Sequence, residues 1–319
     1  MTVEAPSKMH PSMQFLVLIG ISLGMMIAGT LIGMALVTVL YGLGTINQIM
    51  AFDTTAPNVT TSIWILQIAS TTIPLFIAPV VFARYVVNEP KAYLKPAIKI
   101  APAFFGLVLL VMLVSMPFME FLIDMNQKMV LPHSLKWLQQ WMRDKEDAAT
   151  TEMQALLQMK TFGSMLFAVL EIGLLTAIAE EFLFRGCVQS IFTSWTKNHH
   201  WGIWIAAIIF SAFHMEFFGF LPRMVLGVFF GYFVYWSGSI WTGVLAHFIN
   251  NGTDVVLTYL FQQKIISFDP DSSHYNYIIG TLSLIFTVFL FFVYQKVSVT
   301  KNKLVEQNGK GLGKNLHFE

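Results

Sequence analysis

Charge is what this chain has least of. Only 12% of its 319 residues are Asp, Glu, Lys or Arg, about half the roughly 25% usual in soluble domains. The formal net charge is +1, so the electrostatic footprint of a nucleic-acid-binding protein is absent. Cysteine is nearly missing too. The single Cys187 excludes an internal disulfide and a cysteine-rich metal site. No H-E-x-x-H is present to set two zinc ligands one helical turn apart. The G-x-G-D loop of aspartyl intramembrane proteases is also missing, since "GLGT" (42–45) and "GLGK" (311–314) lack the Asp. Ser237 and Ser239 lie in a short break between apolar segments with no evident histidine partner.

What fills the chain is apolar. Hydrophobic residues make up 55%, aromatics 14%, and mean hydropathy is +0.64. Apolar runs of about 20 residues, the length that spans the hydrocarbon core, recur along it. The expected fold is all-α, a polytopic membrane helical bundle with about eight transmembrane helices. Candidate spans fall at about 13–41, 63–87, 101–122, 164–185, 201–218, 220–236, 240–260 and 277–295. The first is too long for a signal-peptide core and is read as a retained span. The break "SGS" (237–239) predicts a tight helical hairpin between the sixth and seventh.

The organisation that follows has four parts. Residues 1–122 form an N-terminal three-span region, and 123–163 an amphipathic polar segment that lies on the membrane or covers a cavity. Residues 164–260 form a four-span core that gathers the polar groups. Residues 261–319 hold the last span and a polar tail, read as disordered from Lys296. Orientation rests on the basic residues. Placing both termini in the cytoplasm puts Lys8, Arg84, Lys91, Lys95, Lys99, Arg185, Lys197 and the tail lysines there, and leaves 42–62, without Lys or Arg, outside.

The ionisable groups within spans cluster in the second half: Glu171, Glu180, Glu181, Arg185, His214, Glu216, His247 and Asp254, with Asn250 and Asn251. A single buried His or Asn is as often a structural hydrogen-bonding group as a functional one; a cluster marks an internal cavity and a site. In "AEEFLFRG" (179–186), Glu181 and Arg185 are four apart and can pair on one face. Glu180 points about 100° away, and an unpaired carboxylate there suits a general base. "FSAFH" puts Phe210 and His214 on one face, and "HFINN" does the same for His247 and Asn251, an imidazole and an amide able to form an oxyanion hole. Asp254, seven residues on, either orients His247 or is a solvent-facing acid. Cys187 is read as a small buried thiol.

At these residues the chain resembles the CAAX-processing and bacteriocin-processing (CPBP/Abi) intramembrane endopeptidases, whose pattern is EExxxR, FxxxH and HxxxN or HxxxD on successive helices. All three are present in order: "EEFLFR" (180–185), "FSAFH" (210–214) and "HFINN" (247–251). The resemblance implies eight helices around a cavity where water attacks a peptide bond. It implies that Glu180 and His214 activate that water, that His247 and Asn251 stabilise the oxyanion, and that Glu181 and Arg185 support them. The partners implied are the lipid bilayer and a membrane protein or lipidated peptide substrate, possible prenylated CAAX peptides included, with no nucleic acid. A multi-pass cell membrane location follows from the breadth of the family. No cofactor is the preferred reading; the alternative is a divalent metal such as Zn on Glu180, His214 and His247. The rival functions are a proton- or ion-coupled transporter and a non-catalytic immunity or scaffold member of the same family. The aromatics Phe213, Phe217, Phe218 and Phe229 either line a lipid pocket or simply face lipid.

One geometric conflict carries its own prediction. A fourth span ending at Arg185 would separate Glu180 and His214 in depth by roughly 10 Å. The helix is therefore predicted to continue through "GCVQSIFTSW" to Trp195, despite Gly186.

Overall fold

A computed structural model describes residues 9–314 apart from 52, 54, 98–100 and 271–275, with side chains described as far as residue 300. Lys8 and Lys99, part of the orientation argument, lie outside the described residues, as do the side chains of the tail lysines beyond Lys296. The chain is an all-α membrane bundle, and among the described residues there is no strand.

The principal helices are α1 (Pro11–Tyr41), α2 (Val59–Val86), α3 (Pro102–Gln127), α4 (Lys136–Leu156), α5 (Phe162–Thr196), α6 (His199–Phe213), α7 (Phe220–Ser237), α8 (Ile240–Gln262) and α9 (Tyr277–Lys314). Their ends follow local chemistry. Pro11 and Pro102 stand in the first helical turns of α1 and α3, where a missing N–H costs nothing. Thr161 and Ser164 form a reciprocal capping box at the start of α5, and Asn198 accepts from His200 and Trp201 to start α6.

Against the expected eight spans, six helices among the described residues are long and apolar enough to cross a membrane by length and composition. The expected fifth span is a 15-residue helix that stops at Phe213. The seventh, α8, has the length at 23 residues, but His247, Asn250, Asn251 and Asp254 lower its hydropathy. The tail differs from expectation as well: α9 continues to Lys314, and its "KNKLVEQN" stretch contains neither Gly nor Pro to stop it.

Apolar side chains on the outside, such as Leu31 and Val39 of α1, have lipid as their solvent, so burial of such groups does not hold the bundle together. Close packing and internal polar contacts do. On α3, Pro117 interrupts the hydrogen-bond ladder, and Ser283 of α9 repairs it by accepting from Phe118 N and donating to Val114 O. Tyr294 and Ser298 of α9 donate to Phe233 O and Trp236 O of α7. The expected hairpin between α7 and α8 turns on Gly238 at φ 74°, a left-handed residue at the helix end. Ser239 then caps α8 and ties the turn to Ala97 O.

Candidate active site

The long helix α5 carries the acids, and it runs through to Thr196, past Arg185 and Gly186 as the depth argument required. It is not uniform. Val169–Leu175 and Phe182–Val188 are wide π-helical turns that flank an α-helical stretch, Thr176–Glu181. Wide turns of this kind shift side chains around the helix and often occur at functional sites. Glu180 and Glu181 end the α-helical stretch, and Arg185 lies in the second wide turn.

Glu181 is completely buried, and its Oε1 takes two charge-assisted contacts: Arg185 Nη1 at 2.7 Å and His247 Nδ1 at 3.1 Å. Arg185, 1% exposed, also donates from Nη2 to Gly227 O at 3.2 Å and lies over the rings of Phe210 and Phe230. Those same rings hold His247, Phe230 stacked against it and Phe210 edge-on. The guanidinium is thus paired, hydrogen-bonded and covered by aromatic faces, the conditions under which a buried charge persists.

Two glycines make room for this cluster. The backbone of Gly227 approaches Arg185 closely enough for its carbonyl to accept a hydrogen bond from Nη2. A Cβ on Gly243 would lie 2.7 Å from both Glu181 Oε2 and Val234 Cγ2. Gly243→Ala is therefore expected to cost about 1–3 kcal/mol through overpacking, seen as a lower unfolding temperature in detergent. An unchanged temperature would mean that α7 and α8 separate freely here.

Glu180 has different neighbours. It is 6% exposed, and its Oε2, like Glu181 Oε2, is buried without a hydrogen-bond partner. Two imidazoles flank that oxygen, His214 Nε2 at 3.9 Å and His247 Nε2 at 3.8 Å. The protonation pattern can be worked out from the partners. His214 Nδ1 is 2.9 Å from Phe210 O; a carbonyl only accepts, so Nδ1 carries the proton. His247 Nδ1 faces a carboxylate held by Arg185, so it also donates. In the neutral form of each ring, Nε2 is then the bare nitrogen, and both bare nitrogens are directed at Glu180.

His247 thus links the two acids: Nδ1 to Glu181 and Nε2 to Glu180. Adjacent carboxylates on a helix point about 100° apart, and a single imidazole bridges that difference. Asp254, considered as the group orienting His247, is exposed; Glu181 does that work. Asn251 shares the His247 face of α8 but donates from Nδ2 to Ile172 O, a carbonyl in the first wide turn of α5, and accepts from Asn250. Glu171 is buried apart from the cluster and accepts from Thr72 of α2 at 2.6 Å. Glu216 pairs with Arg223 just beyond His214.

The aromatic candidates have separate neighbours. Phe218 is fully buried under Arg143, Phe217 packs on Trp141 and Phe229 on Phe291, and Phe213 is partly exposed. Sequence reading also missed Asn126 and Glu146, whose side chains hold the turn after His214. Nothing in their local spacing signals a contact so distant along the chain.

Among the described residues, no group of three or more His, Cys, Asp or Glu side chains is arranged to hold a metal ion, and that includes Glu180, His214 and His247.

Fold and site together define a polytopic helical membrane protein with a buried Glu–Arg pair and a Glu–His–His cluster. Residues 162–253 match the family of type II CAAX prenyl endopeptidases described as Rce1-like, which bears out the resemblance drawn from the three motifs. The chain is also 32% identical over 85 residues to the uncharacterized protein YpbD of Bacillus subtilis (strain 168), an alignment covering 25% of this chain and 40% of that one. The chain therefore aligns with less than half the length of this relative. No solved structure matches.

Proposed function

We propose that the chain is an intramembrane endopeptidase that hydrolyses a peptide bond in a membrane-associated substrate, a prenylated CAAX-type peptide being the class that its family match favours. The observation that carries the reading is Glu180 Oε2, buried, without a hydrogen-bond partner and flanked by two imidazole nitrogens, within the stretch matched to the endopeptidase family. The catalytic core is residues 164–260, in the cell membrane, with both termini cytoplasmic.

In the first step, water bound between Glu180 and His214 gives a proton to Glu180 Oε2 while its oxygen forms a bond to the substrate carbonyl carbon. The carbonyl π pair moves to oxygen. That oxyanion is met by the imidazolium of His247, whose charge the Glu181 carboxylate supports, and by the amide of Asn251. This is electrostatic stabilisation by groups already in place. On collapse, the oxyanion pair re-forms the carbonyl, the C–N bond breaks, and Glu180 returns its proton to the leaving amine. Arg185 pairs with Glu181 and fixes its carboxylate in place. Asn251 takes part only by exchanging or sharing its contact with Ile172 O.

The test compares protein termini in cells producing wild type or Glu180→Gln at matched levels. Termini that vanish with Glu180→Gln identify the substrates. If none depends on Glu180, the protease reading is lost and the transporter or scaffold readings take its place. Membranes stripped with a chelator are expected to retain the cleavage; loss that added Zn reverses would return the metal to the site.

A further inference from the structure

The 15-residue helix α6 ends one residue before His214, so the imidazole that faces Glu180 stands where helical restraint is weakest. His214 N reaches Ser211 O at 3.4 Å, a long bond, and Met215 follows in the left-handed region at φ 57°. The ring is held to its own helix by Nδ1 on Phe210 O. Its backbone direction depends on what holds the turn from 215 to 221.

That turn is held from outside. Asn126, at the end of α3, grips it at two points: Nδ2 donates to Phe217 O at 3.2 Å, and Oδ1 accepts from Leu221 N at 2.6 Å. Glu146, midway along α4, accepts from Phe218 N at 2.8 Å through Oε2. Arg143, one helical turn before Glu146, lies 3.2 Å above the fully buried ring of Phe218 and donates to Gln127 O. Trp141 packs on Phe217. Both partner helices lie before residue 162, outside the stretch matched to the endopeptidase family.

We propose that Asn126 and Glu146 are positioning residues for His214, and that the polar helix α4 serves to lock the His214 turn against the end of α3. Neither side chain contacts His214 itself. Asn126 adds two hydrogen bonds and Glu146 one to the backbone of that turn, and the register of the turn sets the distance between His214 Nε2 and Glu180. The contact is asymmetric in a useful way. Burial raises the Glu146 carboxyl pKa above its ordinary value, with Glu216 adding to the rise and the Phe218 N–H, Arg143 and Arg223 opposing it. The contact with Phe218 N needs only an acceptor oxygen, which a glutamine side chain also supplies. Charge at position 146 is therefore dispensable to the lock, whereas the acceptor is not.

The inference rests on the protease reading for its kinetic arm, and a second arm is independent of it. Purified wild type, Glu146→Ala, Glu146→Gln and Asn126→Ala are compared in two measurements. The first is the rate at which diethyl pyrocarbonate modifies His214, read by mass spectrometry, with exposed His10 at the far end of the chain as the internal reference. The second is cleavage of a farnesylated peptide. A misplacement of about 1 Å at a catalytic group can cost on the order of 100-fold. Glu146→Ala and Asn126→Ala are expected to lower kcat by roughly 10- to 100-fold with KM little changed, and to alter the His214 modification rate several-fold. Glu146→Gln should match wild type in both. Unchanged His214 reactivity in both alanine variants overturns the proposal whatever the kinetics show, as does a Glu146→Gln variant as impaired as Glu146→Ala. A wild type that cleaves nothing counts against the protease reading, while His214 reactivity still decides the lock.

Discussion

Glu180→Gln is expected to lower turnover of a farnesylated peptide by roughly 10²- to 10⁴-fold, the range associated with a positioned general base, while the protein unfolds at the same or a higher temperature. The two halves of that result share one cause. Glu180 is buried with an oxygen that has no hydrogen-bond partner, and an ionised carboxylate so placed costs stability. Glutamine has nearly the same shape and no charge to desolvate. Its amide N–H can also donate to His214 Nε2, which lies 3.9 Å from Glu180 Oε2. Activity lost with stability kept is the mark of a group retained for chemistry. Activity lost together with a lower unfolding temperature would instead make Glu180 a structural acid, and full activity would remove it from the mechanism.

Its neighbour behaves oppositely in the same comparison, which explains why two adjacent acids persist in an apolar helix. Glu181 contacts Arg185 and His247 through one oxygen. Losing its charge leaves a buried guanidinium without a carboxylate and an imidazole without its orienting group. One acid serves the bundle and, through His247, the site; the other faces two imidazoles without a hydrogen bond.

Much of this was legible in the sequence because helical periodicity converts spacing into direction. The i,i+4 intervals of Glu181 with Arg185 and of Phe210 with His214 correspond to the contacts found. The depth conflict between Glu180 and His214 led to a continuous α5. What spacing could not convey is anything long-range. The contact between His247 and Glu181 joins residues 66 apart, so the spacing along α8 offered only Asp254 as a group that could orient His247. The wide turns of α5 were hidden because no residue type marks an i→i+5 register. The fifth span was drawn too long because "FSAFHMEFFGF" keeps its aromatic character through the turn; only Met215 at positive φ and the outside contacts of Asn126 and Glu146 reveal that the helix has ended.

Arg185→Met is expected to be the most destructive single change in the chain. It removes the cation from a fully buried carboxylate, leaving Glu181 with His247 alone, and breaking a buried pair from one side costs about 3–5 kcal/mol. The variant should accumulate poorly in membranes and unfold at a much lower temperature in detergent. Arg185→Lys should fall between, since an ammonium can reach Glu181 but cannot present a planar face to Phe210 and Phe230 while also donating to Gly227 O. The decisive protein is the double variant Glu181→Gln with Arg185→Met. Replacing both members of a buried ion pair by neutral groups removes the uncompensated charge, so much of the stability lost in Arg185→Met should return. Activity should not return, because His247 would lack the carboxylate that supports its imidazolium. Stability recovered without activity separates the two duties of Glu181, holding the bundle and serving His247. A double variant as unstable as Arg185→Met would show that Arg185 acts through Gly227 and the aromatic rings instead of through the ion pair, and one that regains cleavage would remove Glu181 from the support of His247.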